Sequence, residues 1–236
     1  MLRNAWSPER ISGRLTLLGR ESISPEAIYQ WVYADSRDLI PFFARAHRRR
    51  QRFGHTKKHR SWHIPSRTPI SQRPESVQLR EEAGHWECDT IIGQDNASAL
   101  RILVERKTRY THLDKLPAKT AAFMRKSISR ALGRYPQHLR RTITYDNGSE
   151  NAQHVETNKK LGTASYFCAP MHSWEKGSVE NTAGLVRRRF PKKTDFKIVT
   201  DDEVRRTERW LNALPRKCLG FKTPTEACRE SVALSG

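Results

Sequence analysis

Three acidic side chains stand where a fold can hold them in place. Asp89 lies in HWECDTIIG, His85 to Gly93, whose bulky and β-branched residues read as a strand with Glu87 and Asp89 on one face by the two-residue period. Asp146 follows a short strand, Thr142 to Tyr145, and opens an Asn147-Gly148 turn, so its carboxylate is fixed at a strand end, where the binding sites of α/β sheets gather. Glu180 falls in a stretch that reads as helical from about Ser178. Arg187 follows two helical turns later on the same face, while Val179, Ala183 and Val186 pack the other. Carboxylates and a guanidinium held in this way supply charge chemistry at a binding site. Taken singly, Asp89 also reads as an exposed strand residue, Asp146 as a turn former and Glu180 as an ordinary helical carboxylate. Glu87 and Glu150 are neighbours in supporting positions, and Glu175 lies too early in the helix-forming string.

The elements that must position these groups belong to a strongly basic chain. Its 236 residues carry 44 Lys and Arg against 25 Asp and Glu, a net charge of +19, with 36% hydrophobic residues. Self-repulsion of that size opposes compaction, and a polyanion relieves it, so nucleic acid is the leading partner. No apolar run is long enough to span a membrane. MLRNAWSPER lacks the apolar stretch of a secretory signal, and a cytoplasmic, nucleoid-associated protein is expected. Cys88, Cys168, Cys218 and Cys228 form no CxxC pair, which argues against a zinc ribbon and a disulfide framework and for reduced structural thiols.

Charge and pattern divide the chain into a helical module over residues 1–43, a basic Pro-containing linker over 44–80 and an α/β module over 81–236. The linker holds eleven Lys or Arg against the single acid Glu75, including the cluster Arg48, Arg49 and Arg50. In the first module Ser7-Pro8-Glu9 and Ser24-Pro25-Glu26 are helix starts: Ser caps, Pro presets the first turn and Glu faces the positive helix end. Ile11, Leu15 and Leu18 would share one inward face and Ile28, Trp31 and Val32 another. The result is a helix-turn-helix pattern whose exposed Glu26, Ala27, Tyr29 and Gln30 would lie nearest the base edges. A plain helical hairpin is the alternative. His55, His59 and His63 read as part of a solvated basic segment. In the last module strands follow at Leu100 to Glu105 and Thr111 to Leu116. A helix with Phe123, Ile128 and Leu132 at helical spacing, the Thr142 strand, a helix near Asn151 to Leu161 and a strand near Ala164 to Cys168 complete the pattern before the Glu180 helix. Trp86 and Trp174 read as packing residues, and His154 and His172 as structural or phosphate-contacting ones.

That order of elements, with acids on the first strand, after the fourth and on a late helix, is the arrangement of ribonuclease-H-like nucleotidyl transferases. The strings GHWECDTIIG, TYDNGSEN, YFCAPMHSWEKGSVENTAGLVRRRFPKKTDF and LPRKCLGFKTPTEA resemble the insertion sequence thirty family of bacterial transposases, as does WSPERISGRL with its following SPEAIYQWVY. The resemblance covers nearly the whole chain. Its most specific part is the interval of 33 residues between Asp146 and Glu180.

The resemblance implies an α/β fold, a ribonuclease-H-like mixed sheet with flanking helices, preceded by the small helix-turn-helix-like module. It implies Asp89, Asp146 and Glu180 as both catalytic residues and metal ligands, with two Mg²⁺ ions as cofactor and Mn²⁺ as a substitute. Two divalent ions about 3.5 to 4 Å apart activate the attacking oxygen and stabilise the leaving one, and Mg²⁺ favours hard oxygen ligands. Cleavage at element ends would be followed by attack of the freed 3′-hydroxyl on target DNA, with no covalent protein nucleophile. Arg187 would hold a phosphate. Arg48, Arg49, Arg50, Tyr29 and Gln30 would contact DNA, and synapsis of two ends implies a homo-oligomer on DNA. The resemblance departs at Asn151, where the family commonly has a bulky aromatic, so looser packing is expected there. It also departs ahead of the WSPE string, where family members carry a further helix-turn-helix segment. The chain therefore reads as shortened, and a catalytically incompetent DNA-binding regulator or remnant is the alternative function. A nuclease acting on RNA in a hybrid ranks last, because it leaves the first module without a purpose.

Overall fold

In the computed structural model, residues 1–43, 64–94, 98–170 and 172–233 are described. The chain forms two compact units, Met1–His59 with Ala213–Ala227, and Arg60–Asn212 with Cys228–Gly236.

In the first unit the two expected helix starts are in place. Helix α1, Pro8–Leu17, and helix α2, Pro25–Asp35, both carry Pro in the first turn, with Ser7 accepting from the Arg10 N–H and Ser24 from the Ala27 N–H. Ile11, Ile28 and Val32 are buried together with Leu2, Leu39 and Phe43. Two expected inward residues face outward instead: Trp31 is 49% exposed and Leu18, at the C-cap of α1, 48%. Ile28 and Val32, one turn apart, already make a complete inward stripe, and Trp31 lies on its flank. The segment from Ala213 is tied to α1 by a bidentate ion pair in which Arg14 donates to both Glu226 oxygens at 2.6 and 2.8 Å.

The second unit is built on a five-stranded sheet in the order β3-β2-β1-β4-β5. Its strands are β1 His85–Ile92, β2 Ala99–Glu105, β3 Thr111–Leu116, β4 Thr142–Tyr145 and β5 Ala164–Phe167. The first three pair antiparallel, as a meander with short connections must, while β4 and β5 join parallel to β1 and to each other through helical crossovers. One sheet face buries Trp86, Cys88, Leu103, Ile143 and Tyr145 with Met124, Ile128 and Leu132 of helix α4, Ala121–Leu132, and Leu161 of helix α5, His154–Leu161. Phe123, expected inward, is 39% exposed, and Met124 takes the core position. The periodic set Met124, Ile128, Leu132 keeps one stripe, whereas Phe123 begins a neighbouring row.

On the other face helix α6, Gly177–Arg189, packs on β1 and β2, and helix α7, Asp201–Asn212, packs on β3. Thr200 and Glu203 start α7 with a reciprocal capping box. From α7, Glu208 accepts the Leu113 N–H at 2.7 Å and Asn212 exchanges hydrogen bonds with the Thr111 backbone, so the open edge of β3 is covered. Residues 64–80, read from sequence as the end of the linker, pack into this unit. Ile64 lies in its core, and helix α3, Glu75–Leu79, buries Val77. No helix among the described residues is long and apolar enough to cross a membrane. All four cysteines are free thiols, and burial pushes the Cys88 and Cys168 pKa values up to about 12.

Candidate active site

The parallel pairing of β1 with β4 sets Glu87 beside Thr144. Two residues further along come Asp89, in the middle of β1, and Asp146, just past the end of β4, so continued register delivers the two carboxylates side by side where the shorter β4 stops against β1. Asp89 is held on the pleat itself. Asp146 is held by the turn: its Oδ1 accepts from the Gly148 N–H at 3.1 Å and from the Asn151 side-chain amide at 2.8 Å. A Cβ at Gly148 would stand 2.4 Å from a Glu150 carboxylate oxygen, so that side chain would have to shift to admit one. Glu150 is itself buried and pairs with Lys119 at 3.2 Å.

Between the two aspartates sits Lys176. Its Nζ donates to Asp89 Oδ1 at 3.1 Å and to the Cys88 carbonyl at 3.0 Å, and stands 3.6 Å from Asp146 Oδ2. Lys176 is only 4% exposed and occupies the N-cap position of α6. Burial alone would lower its pKa, but the Asp146 and Asp89 carboxylates more than reverse this and hold the ammonium above its ordinary value.

Glu180 lies on the next turn of α6 and is exposed. Among the described residues no three His, Cys, Asp or Glu side chains come close enough to hold a metal ion as a set. The two aspartates do converge on one cationic atom, which is what a hard divalent ion asks of its donors. The donor set therefore fits such an ion at Asp89 and Asp146, with Glu180 one helical turn from Lys176.

Glu87 fixes the frame. Fully buried, it pairs with Arg106 and accepts the Val179 N–H at 2.9 Å, joining β1 to the first turn of α6. Arg106 also donates to the Val77 carbonyl, and Arg109 hydrogen-bonds Ser178. Glu175 accepts the Ala169 N–H at 2.8 Å and so braces the loop before α6. Arg187 donates to the Ile92 and Pro191 carbonyls at 3.2 and 3.1 Å, closing the C-terminal end of α6 on the end of β1. Trp86 lies in the core and donates to the Leu139 carbonyl, and His154 is buried against Phe167 with its ring nitrogen 2.9 Å from the Pro65 carbonyl. In the first unit Gln30 is exposed, while Tyr29 is partly buried against Phe43. Arg48, Arg49, Arg50 and the three histidines His55, His59 and His63 lie outside the described residues.

Sequence reasoning missed Lys176 and Asn151. Lys176 precedes Glu180 by one helical turn, the spacing that puts both at one end of α6. Asn151 is 5% exposed and serves as a hydrogen-bond donor to Asp146, so the site expected to be loosely packed is closed by a polar contact.

A mixed sheet of this order, with helices on both faces, one acid within its central strand and a second just past the end of the neighbouring parallel strand, defines the ribonuclease-H-like class. The catalytic core of BIV integrase has the same fold, matching 65% of this chain and 98% of that core with a TM-score of 0.51 at 21% identity. No family model matches the chain. It is 40% identical over 235 residues to the transposase of insertion sequence element IS4351 from Bacteroides fragilis, covering 98% of this chain and 72% of that protein. It is 38% identical over 245 residues to transposase InsI of element IS30A from Escherichia coli, covering 99% of this chain and 64% of that protein. The chain belongs to the insertion sequence thirty family of transposases.

Proposed function

We propose that this chain is a DNA transposase that cuts at the ends of an insertion element and joins the freed ends to target DNA, acting as a homo-oligomer on DNA. The observation that carries the reading is the convergence of Asp89, in the middle of β1, and Asp146, at the end of β4, on a single cationic atom, in a chain of this family. Asp89, Asp146 and Glu180 are the catalytic carboxylates and the ligands of two Mg²⁺ ions, for which Mn²⁺ substitutes. Bound there, the metal supplies charge compensation at the phosphodiester and lowers the pKa of the attacking oxygen.

The chain's own residues hold that geometry. Asn151 and the Gly148 N–H fix the Asp146 carboxylate, and Glu87 anchors the turn of α6 from which Glu180 projects. Arg187, at the other end of α6, orients a DNA phosphate. Arg48, Arg49 and Arg50 contact the DNA backbone, and Gln30 and Tyr29 face it from the helix-turn-helix. A cytoplasmic protein held on the nucleoid follows from this partner and from the net charge of +19.

The test is cleavage of DNA carrying the matching element's ends in Mg²⁺, with wild type, Asp89→Asn and Asp146→Asn. Loss of products in both variants with DNA retention intact is the expected result. Wild-type cleavage by either variant would refute the assignment.

A further inference from the structure

The ammonium of Lys176 has three acceptors around it, Asp89 Oδ1, Asp146 Oδ2 and the Cys88 carbonyl, at 3.1, 3.6 and 3.0 Å. Two of its donors meet Asp89 and the Cys88 carbonyl, the Asp146 oxygen stands at ion-pair distance, and the side chain is buried. A lysine is seldom taken out of water unless its charge is matched, and here two carboxylates of neighbouring parallel strands match it. Without that cation the two aspartates would face each other as like charges where β4 stops against β1. With it, the space where both carboxylates can reach one cation is taken.

We propose that Lys176 is the site's built-in counter-ion: a positioning residue that holds Asp89 and Asp146 together in the metal-free protein and gives up both carboxylates when a divalent ion binds. This rests on the reading of the two aspartates as metal ligands. Two cations cannot share the pair at such distances without strong repulsion, so metal entry is an exchange. Lys176 stands at the N-cap of α6, one turn before Glu180. Its release leaves the first turn of α6, and Glu180 on it, held by the Glu87 bond to the Val179 N–H.

The test is titration of Mn²⁺ into the metal-free full chain, followed by calorimetry and by electron paramagnetic resonance, for wild type, Lys176→Met, Lys176→Gln, Lys176→Arg and Asp146→Asn. Melting is recorded for each in EDTA. Removing the competing charge predicts Mn²⁺ binding about tenfold tighter in Lys176→Met and Lys176→Gln and no tighter in Lys176→Arg. It also predicts melting of the two neutral variants in EDTA several degrees below wild type, with the gap closed by Mn²⁺. Lys176→Gln keeps a donor for the Cys88 carbonyl and serves if Lys176→Met does not fold. Mn²⁺ binding that is lost in Asp146→Asn but equal in wild type and the neutral variants would overturn the exchange and leave the metal site standing. Absence of any binding that depends on Asp146, in wild type and neutral variants alike, would overturn both.

Discussion

Glu87 on β1 accepts a 2.9 Å hydrogen bond from the backbone N–H of Val179, the residue before Glu180. A side chain two places before one candidate catalytic acid thus holds the helix turn that presents another. Its second oxygen pairs with Arg106, and both partners are buried, at 0% and 3% side-chain exposure.

Removing one partner of such a pair strands the other. Glu87→Ala is expected to cost about 3 to 5 kcal/mol, read as a lower midpoint in urea unfolding with an unchanged slope. A stability within about 0.5 kcal/mol of wild type would mean that Val77 and Gln78 suffice as acceptors for Arg106 and that Glu87 does not anchor α6.

Asn151 is expected to act through Asp146 alone. Asn151→Ala removes the 2.8 Å bond to Asp146 Oδ1, at a cost of about 1 kcal/mol in stability. DNA cleavage should fall about tenfold or more with DNA affinity unchanged, as measured by product yield and gel retardation in parallel. Cleavage at the wild-type rate would leave Asn151 as packing only.

The fold was legible where the pattern is local. The caps at Ser7 and Ser24, the alternation through His85 to Ile92 and the Asp146 turn all lie within a few residues of what they determine. What escaped depends on contacts between separated segments. Trp31 reads as inward from its neighbours, yet its exposure is decided by how little room Ile28 and Val32 leave. Phe123 and Met124 are equally apolar, and only the sheet surface beneath α4 selects Met124. Lys176 is an ordinary lysine of the EKG string until β1 and β4 bring Asp89 and Asp146 to it, and Asn151 comes to hold the Asp146 carboxylate only once the turn folds back. The two aspartates were nevertheless visible, because strand period and turn chemistry fix a carboxylate before any partner is known.

The Arg14–Glu226 pair makes the first unit sensitive to acid. Arg14 hydrogen bonds hold the Glu226 carboxyl down at about 2, against an ordinary 4.5. A depressed carboxyl contributes stability that is fully present above the ordinary value and lost as pH falls through the folded one. The stability difference between wild type and Glu226→Gln should therefore be constant above about pH 5 and shrink between 4.5 and 2. Thermal melts across that range check this, and a difference independent of pH would contradict it.

Affinity for DNA should be governed by salt. The net charge of +19 predicts a logarithmic decline with slope of about 0.9 for each phosphate neutralised on duplex DNA. Arg187→Ala should reduce the slope by about one unit if that guanidinium leaves the Ile92 and Pro191 carbonyls for a phosphate. Filter binding at several salt concentrations measures both, and a flat response would remove the basis for a phosphate-bound surface.

The most direct measurement is cleavage and strand joining of DNA bearing the matching element's ends, with Mg²⁺ and with EDTA, by wild type and by Glu180→Gln. Glu180 is exposed on α6, one turn from the Lys176 that bridges Asp89 and Asp146, and its carboxylate is assigned the third place at the metal centre. Products from wild type in Mg²⁺ alone, and none from Glu180→Gln under either condition, are predicted. Equal products from the variant, or products that persist in EDTA, would contradict a metal-dependent transposase centred on these three acids.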